Sequence, residues 1–375
     1  MIPFIDLKAQ QTRIRDDVDA RLKAVLDHGA YIMGPEVKEL EAELGKWGNS
    51  KHVISCSSGT DALILALLGK KLKPRQGVIV PSFTFAASAE SVAVLGGVPV
   101  FVDVDPHSFN VDAQNLSAAL QAGIDAGIEV VGIMAVGLFG QPSDMVAIGD
   151  FAAKHGLWTM DDAAQSFGAS LHGEVVGQLA DVTCTSFFPA KPLGCYGDGG
   201  ALFTDDDELA EIAMSCRVHG MGKTKYHNDR IGMTARLDTM QAAVLLSKLS
   251  IFKDELAARQ QVADRYEALL GDVVATPRLI KGATSSWAQY TIKLPKHAKR
   301  DDVQAALSKH NVPTMIYYPI PMHKQAPYQH CPVANGKLAI TDGLCDVVLA
   351  LPMHPYLTEE QSEIIASALK QALKS

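Results

Sequence analysis

Lys191 sits in the run SFFPAKPLGCYGDGGA, downstream of DDAAQ at 161–165. Apolar Phe187, Phe188 and Pro189 precede this lysine, and Gly194, Gly197, Gly199 and Gly200 follow it. Such surroundings imply close packing and partial loss of water, which lowers an amine pKa and leaves a nucleophile able to condense with an aldehyde. The bland alternative is a solvated surface lysine, the usual fate of the residue type. Asp162 closes the preceding apolar run, where a carboxylate could hold a protonated pyridine nitrogen and so favour the electron-accepting form of the ring. Taken alone, Asp162 reads equally as a strand-end acid or a helix cap. Together the two residues have the layout that pyridoxal-phosphate chemistry needs.

Further candidates surround this pair. In SCSSGTDALILALL, small polar residues and Gly59 precede an apolar helix, so the N–H groups of Thr60 and Asp61 are candidate phosphate donors at its positive end. A plain Ser-Gly-Thr turn capping a helix gives the same pattern. Ser186 is a second candidate phosphate ligand, Gln165 could reach a ring oxygen, and Phe85 in PSFTFAAS could stack on a flat heteroaromatic ring. Two other motifs carry less. HGMGKTK at 219–225 looks like part of a phosphate loop, yet Arg217 stands where GxxxxGK[ST] requires its leading glycine, and no strand enters it. No GxGxxG follows a strand, so nicotinamide binding has no support.

The elements that must position these residues follow from periodicity. Between 51 and 205, short β-branched runs alternate with helical stretches, which predicts βαβ units and a mostly parallel sheet in an α/β fold. Strands are expected at 78–81, 98–105, 130–138, 157–161, 182–188 and 201–204, several of them apolar on both faces. Helices are expected at 61–68, 86–95 and 145–155. Val37, Leu40, Leu44 and Trp47 line one helical face after a Gly34-Pro35 start, and 236–270 is helix-rich with little turn punctuation. Strands at 290–294 and 314–318 and a closing helix after Thr358, with the Thr358/Gln361 spacing of a capping box, complete the chain.

Bulk composition bounds the rest. A chain of 375 residues, 47% hydrophobic and 20% charged, is globular and long enough for a large domain plus a smaller one. The net charge of -8 and the scatter of its 34 Lys and Arg argue against a nucleic-acid surface. The run 130–140 is too short to span a membrane, and the first residues carry no export signal. Six cysteines without a CxxC pair read as reduced thiols of a cytoplasmic protein, and no histidine spacing suggests a metal.

The ordered set PFIDLKAQQ, YIMGPEVKELE, SSGTDAL, PSFTF, VFVDVDP, DDAAQSFGA, SFFPAKPLGCYGDGGA, RVHGMG, RLDTMQAA, YYPIPMHKQAPY and LALPMHPYLTEEQ resembles the DegT/StrS sugar aminotransferases over nearly the whole chain. The resemblance implies a type I, aspartate-aminotransferase-like fold, with a large domain at 1–250 and a smaller α+β domain at 251–375, whose N-terminal segment could also engage the small domain. It implies pyridoxal 5'-phosphate bound to Lys191, with Asp162 on the ring nitrogen, Gln165 on the ring oxygen, Phe85 stacked, and Thr60, Asp61 and Ser186 on the phosphate. It also implies a homodimer with shared sites, in which IGMTARLD comes from the neighbour. Thr234 then stands where the family usually has Asn, Arg236 is a candidate clamp for a substrate carboxylate, and His219 and His323 are candidates on the substrate side. Lysine at 191, where sugar-dehydrating relatives have His, implies transamination from L-glutamate. The FFPxKPLGCYGDGGA version is similar to enzymes that aminate C3 of a UDP-linked 3-keto-N-acetylglucosaminuronic acid for surface polysaccharide; other UDP-, GDP- or dTDP-keto sugars are the alternative substrates. A lyase or desulfurase using Cys195, and a binding or regulatory protein without catalysis, are the rival readings.

Overall fold

The computed structural model describes residues 2–224 and 226–374. Lys225, the last residue of HGMGKTK, lies outside the described residues.

Two helices lead the chain, α1 (Leu7–His28) and α2 (Pro35–Gly48). The periodic face predicted for α2 is its buried one: Val37, Leu40 and Leu44 are sealed in the core, and Trp47 packs at the edge. Pro35 occupies the first turn, where its missing N–H costs nothing. Next come β1 (His52–Cys56), α3 (Gly59–Gly69), β2 (Gly77–Pro81), α4 (Ala86–Val94), β3 (Val98–Val102), α5 (Leu116–Asp125), β4 (Val130–Val136), α6 (Met145–His155) and β5 (Trp158–Asp162). A small hairpin, β6 (Ser170–Leu171) and β7 (Glu174–Val175), precedes β8 (Val182–Ser186) and β9 (Gly200–Thr204).

Seven of these strands form one sheet in the order β1-β9-β8-β5-β4-β2-β3. Pairing is parallel from β3 through β8, and β9 runs antiparallel to both of its neighbours. Residues of β2, β4 and β5 are buried on both faces, which explains their unbroken apolar runs. One consequence governs the site. The last residues of β1, β2, β4, β5 and β8 emerge on one edge of the sheet, and the antiparallel β9 begins there.

After α7 (Asp207–Cys216), the long helix α8 (Thr239–Leu270) leaves the sheet. Its first half packs with Phe187, Leu193 and Phe203, and its second half, through Val262, Ala263, Tyr266 and Leu270, joins another core. That core gathers β10 (Tyr290–Lys293), α9 (Arg300–Lys309), β11 (Val348–Leu351) and α11 (Glu359–Ala372) around Tyr290, Leu307, Leu349 and Ile365, while α10 (Ala339–Val347) packs through Leu344 and Cys345 with Phe83 and Phe109. β10 and β11 pair antiparallel. The capping box is formed: Gln361 N donates to Thr358 Oγ1 at 3.1 Å and Thr358 N to Gln361 Oε1 at 3.0 Å.

The strand predicted at 314–318 is not one. Only Met315 pairs there, as an isolated bridge to Ala350, because Pro313, Pro319 and Pro321 remove donors from any ladder. The segment instead carries Tyr317 and Tyr318 toward the sheet edge.

Candidate active site

A cavity of about 460 Å³ opens at the carboxyl edge of the sheet. Its wall includes Lys191, Asp162, Gln165, Phe85, Thr60 and Ser186, six of the residues singled out by sequence, drawn from four separate segments. Ligands of open α/β sheets bind at this edge because strand ends and helix N-termini converge there.

Each side chain arrives for a local reason. Asp162 terminates β5 and is buried. Ser88 Oγ donates to its Oδ2 at 2.7 Å and Ala164 N to its Oδ1 at 3.2 Å. Burial still raises the Asp162 carboxyl above the usual range, with Ser88, Ala164 and Lys191 opposing that shift only in part. The donors present therefore under-compensate its charge, and a cationic ring nitrogen in the cavity would supply what is missing. Lys191 lies in the loop after β8, where Lys191 N donates to Phe188 O at 2.8 Å and Cys195 N to Phe187 O at 2.8 Å. A Cβ on Gly194 would sit 2.5 Å from Phe188 O, so this tight fold needs glycine there. Loss of water lowers the Lys191 amine below its usual value, and Asp162 partly restores it.

A cup lies at the start of α3. Ser58 caps this helix by accepting from Asp61 N at 3.0 Å. That bond corrects the expectation for Asp61: its N–H is already used, and its carboxylate accepts from Ser57 Oγ. The amides of Gly59 and Thr60 find no acceptor among the described residues and point to the positive end of the helix. Ser186, ending β8, packs so closely that a Cβ on Gly59 would fall 2.6 Å from its own Cβ. An anion held there would meet two amides and two hydroxyls, a donor set that fits a phosphate.

Phe85, the N-cap of α4, is 57% exposed beside the cavity, leaving its ring free to stack. Gln165 is fixed at both ends of its amide: Oε1 accepts from Phe139 N at 2.7 Å, and Nε2 donates to Tyr318 OH at 3.3 Å.

Five expected residues do not line this cavity, Asp61 and four others. Thr234 Oγ1 and His219 Nε2 lie 2.7 Å apart in the loop before α8. Arg236 lies just beyond them, half-buried, with its Nε unpartnered among the described residues. His323 braces the end of β2, its Nδ1 lying 2.8 Å from Ser82 Oγ, and burial lowers its pKa. Apart from Lys191, no cationic side chain lines the cavity among the described residues. Cys195, on which a desulfurase reading depends, is fully buried, its Sγ engaged with Phe187 O and Gly197 O. Burial also raises its thiol pKa, which disfavours the thiolate a desulfurase needs.

Several cavity residues went unread in the sequence. Ser88 stands behind Asp162 and contacts Thr84 on the wall, which Tyr317, Tyr318, Gln289, Asp198 and Ile5 also line. The four-residue spacing of Thr84 and Ser88 at a helix start was the one signal available for the first two.

Asp161 points away from Asp162, as alternation along a strand requires. It is fully buried, and neither carboxylate oxygen has a partner among the described residues. Burial first, and the like charge of Asp162 second, push it up to about 7. A carboxyl raised in the folded state binds its proton more tightly there, so stability is greatest below the unfolded value near 3.9 and falls as pH rises toward 7. Asp161→Asn is expected to remove this slope and to raise stability at pH 8 by on the order of 2 kcal/mol. Melting temperatures of both proteins from pH 5 to 8 check this; parallel curves would contradict it.

Comparison with known proteins places this geometry. Residues 12–370 match the DegT/DnrJ/EryC1/StrS aminotransferase family. The chain is 47% identical over 370 residues to the UDP-2-acetamido-2-deoxy-3-oxo-D-glucuronate aminotransferase of Pseudomonas aeruginosa, covering 98% of this chain and 99% of that one. A DegT DnrJ EryC1 StrS aminotransferase from Brucella abortus superposes with a TM-score of 0.96 at 46% identity, covering 99% of each chain. The ntda protein of Bacillus subtilis, solved with bound cofactor PMP, superposes with a TM-score of 0.87 at 29% identity, covering 97% of this chain and 82% of that one.

Proposed function

Because this chain belongs to the DegT/DnrJ/EryC1/StrS aminotransferase family, we propose that it transfers an amino group to the C3 ketone of UDP-linked 3-keto-N-acetylglucosaminuronic acid. It is a pyridoxal 5'-phosphate-dependent sugar aminotransferase. The observation that carries the reading is the opposition of Lys191 and Asp162 across one cavity with an amide cup at its edge. The amino donor in this reading is L-glutamate.

The cofactor supplies an aldehyde that captures amines and a ring that accepts the electron pair left when a C–H bond breaks. The rest of the mechanism belongs to this chain. The Gly59 and Thr60 amides, with the Thr60 and Ser186 hydroxyls, would hold the phosphate. Phe85 would cover one ring face, Gln165 would meet the ring oxygen, and Asp162 would keep the ring nitrogen protonated. The Lys191 amine, made more available as a base by its surroundings, would hold the cofactor aldehyde and would be the group placed to take a proton from the substrate carbon. In the second half-reaction the same amine would deliver a proton to C3 of the sugar.

The sugar acid and glutamate both bring carboxylates to a cavity whose own wall offers no arginine or histidine among the described residues. We therefore assign the clamp to Arg236 of a second copy, so that the working unit is a homodimer with shared sites, and Thr234 and His219 belong to the same offered loop. In this reading residues 1–250 form the cofactor-holding domain and 251–375 the smaller one. The N-terminal segment ties the two together: Ile2 packs in the second core, and Met353 N donates to Phe4 O at 3.2 Å. No described helix is long and apolar enough to cross a membrane. A cytoplasmic enzyme feeding surface polysaccharide, the O-antigen of lipopolysaccharide among such products, fits a nucleotide-linked substrate.

The test is direct. The purified protein, loaded with pyridoxal phosphate, is given L-glutamate with the UDP-linked keto acid or with UDP-, GDP- and dTDP-keto sugars lacking the carboxylate, and the products are weighed by mass spectrometry. The amino sugar acid is expected as the dominant product, and Arg236→Ala is expected to raise KM for both carboxylate-bearing substrates by about tenfold or more. Preference for a neutral keto sugar would overturn the substrate assignment and leave the transaminase standing.

A further inference from the structure

The segment from Thr84 to Ser88 does more than present the Phe85 ring. Ser88 is fully buried on the first turn of α4, and its Oγ lies 2.7 Å from Asp162 Oδ2 and 3.0 Å from Thr84 Oγ1. A serine hydroxyl has one proton. Once that proton is given to the carboxylate, the contact with Thr84 can form only if Thr84 is its donor. The two hydroxyls thus make a chain of fixed direction, from Thr84 on the cavity wall through Ser88 to Asp162. On the other side of the carboxylate, Ala164 N holds Oδ1. Both oxygens are pinned, so the carboxylate plane cannot turn within its burial.

Resting on the ring-nitrogen role of Asp162 proposed above, we infer that Ser88, backed by Thr84, is a positioning residue of the transamination: its hydroxyl keeps Asp162 ionised and aimed at the pyridine nitrogen. Hydrogen bonds to a charged acceptor are about twice as strong as neutral ones, and the effect grows where water is excluded. The other titratable groups coupled to Asp162 are Lys191, which attracts it, and Asp161, Cys184 and Tyr318, which do not favour its charge. Among the described residues Ser88 is therefore the one neutral side chain that stabilises this anion directly. Without it, Oδ2 is left bare in a dry site, and the carboxyl competes with the ring for the proton.

The experiment compares holoenzymes of the wild type, S88A, S88T, T84V, the S88A/T84V double variant and D162N. The readouts are the pH midpoint of the visible absorbance of lysine-bound cofactor, kcat and KM for the glutamate half-reaction, and melting temperature. S88A is expected to lower kcat about tenfold with KM nearly unchanged and to move the midpoint by about one pH unit, the scale of one charge-assisted hydrogen bond. S88T keeps the hydroxyl and is expected to recover the midpoint. T84V falls between, and the double variant matches S88A, because both substitutions cut one chain. The inference fails if S88A keeps the wild-type midpoint and kcat while D162N loses both, or if the T84V and S88A effects simply add. Wild-type behaviour in D162N would instead overturn the role of Asp162 on which the inference rests.

Discussion

Lys191→Ala is expected to reduce turnover by about 10³-fold or more, the upper range for removing a positioned proton carrier, while the protein keeps its fold. The side chain is half-buried at the cavity wall and its amine makes no hydrogen bond among the described residues, so its loss should move the melting temperature little. Three properties should vanish together: turnover, the visible absorbance of lysine-bound cofactor, and borohydride-dependent labelling at position 191 found by peptide mass spectrometry. Because the amine is held below its usual pKa by lost hydration, the rate of the wild-type glutamate half-reaction should level off at a lower pH than a free lysine would give. A small primary amine added to the variant should restore part of the rate, since the cavity vacated by the side chain can admit one. Undiminished turnover without the lysine would remove the basis for the whole assignment.

How far this site was legible in the sequence depends on how local each part is. Lys191 and Asp162 were readable because each stands at the end of an apolar run, where strand termini gather in an α/β sheet, and their surroundings altered their chemistry in a predictable direction. The cup was half readable. A small-residue turn before an apolar helix announces free amides, but whether Asp61 N stays free depends on the rotamer of Ser58, which no spacing encodes. Most parallel strands were clear from their unbroken apolar runs. β1 was not, since its five residues carry only a short apolar pair, Val53 and Ile54, and its burial depends on β9, more than 140 residues later. Helix α1 was missed because it is mostly solvated; Ile14, Val18 and Val25 are its only buried apolar positions. The error at 314–318 has the opposite origin: aromatic and β-branched residues suggested a strand, and the flanking prolines overrode them. The roles of Tyr318 and Ser88 were hidden for a further reason. Their partners, Gln165 and Asp162, lie 153 and 74 positions away, and only the folded sheet edge brings them together.

Asp162→Asn separates catalysis from stability at this edge. The substitution keeps the shape of the side chain and a carbonyl oxygen to accept from Ser88, but removes the negative charge. A ring nitrogen facing an amide would lose its reason to stay protonated, and turnover is expected to fall by at least about 10²-fold, the effect of deleting one preorganised electrostatic partner. Stability should move the other way. Burial raises the Asp162 carboxyl, so in the cofactor-free protein the ionised form is the costly one at neutral pH. By linkage, that raised value means folding is favoured below the unfolded pKa and penalised as pH climbs through the folded one, and a neutral amide escapes the penalty. Cofactor-free Asn variant should therefore melt at or above the wild-type temperature at pH 8, while its kcat collapses. Functional sites commonly trade stability for chemistry in this way. Pairing the two measurements discriminates sharply: a variant that lost both activity and melting temperature would make Asp162 a structural acid, whereas one that kept its activity would move the ring partner to another residue.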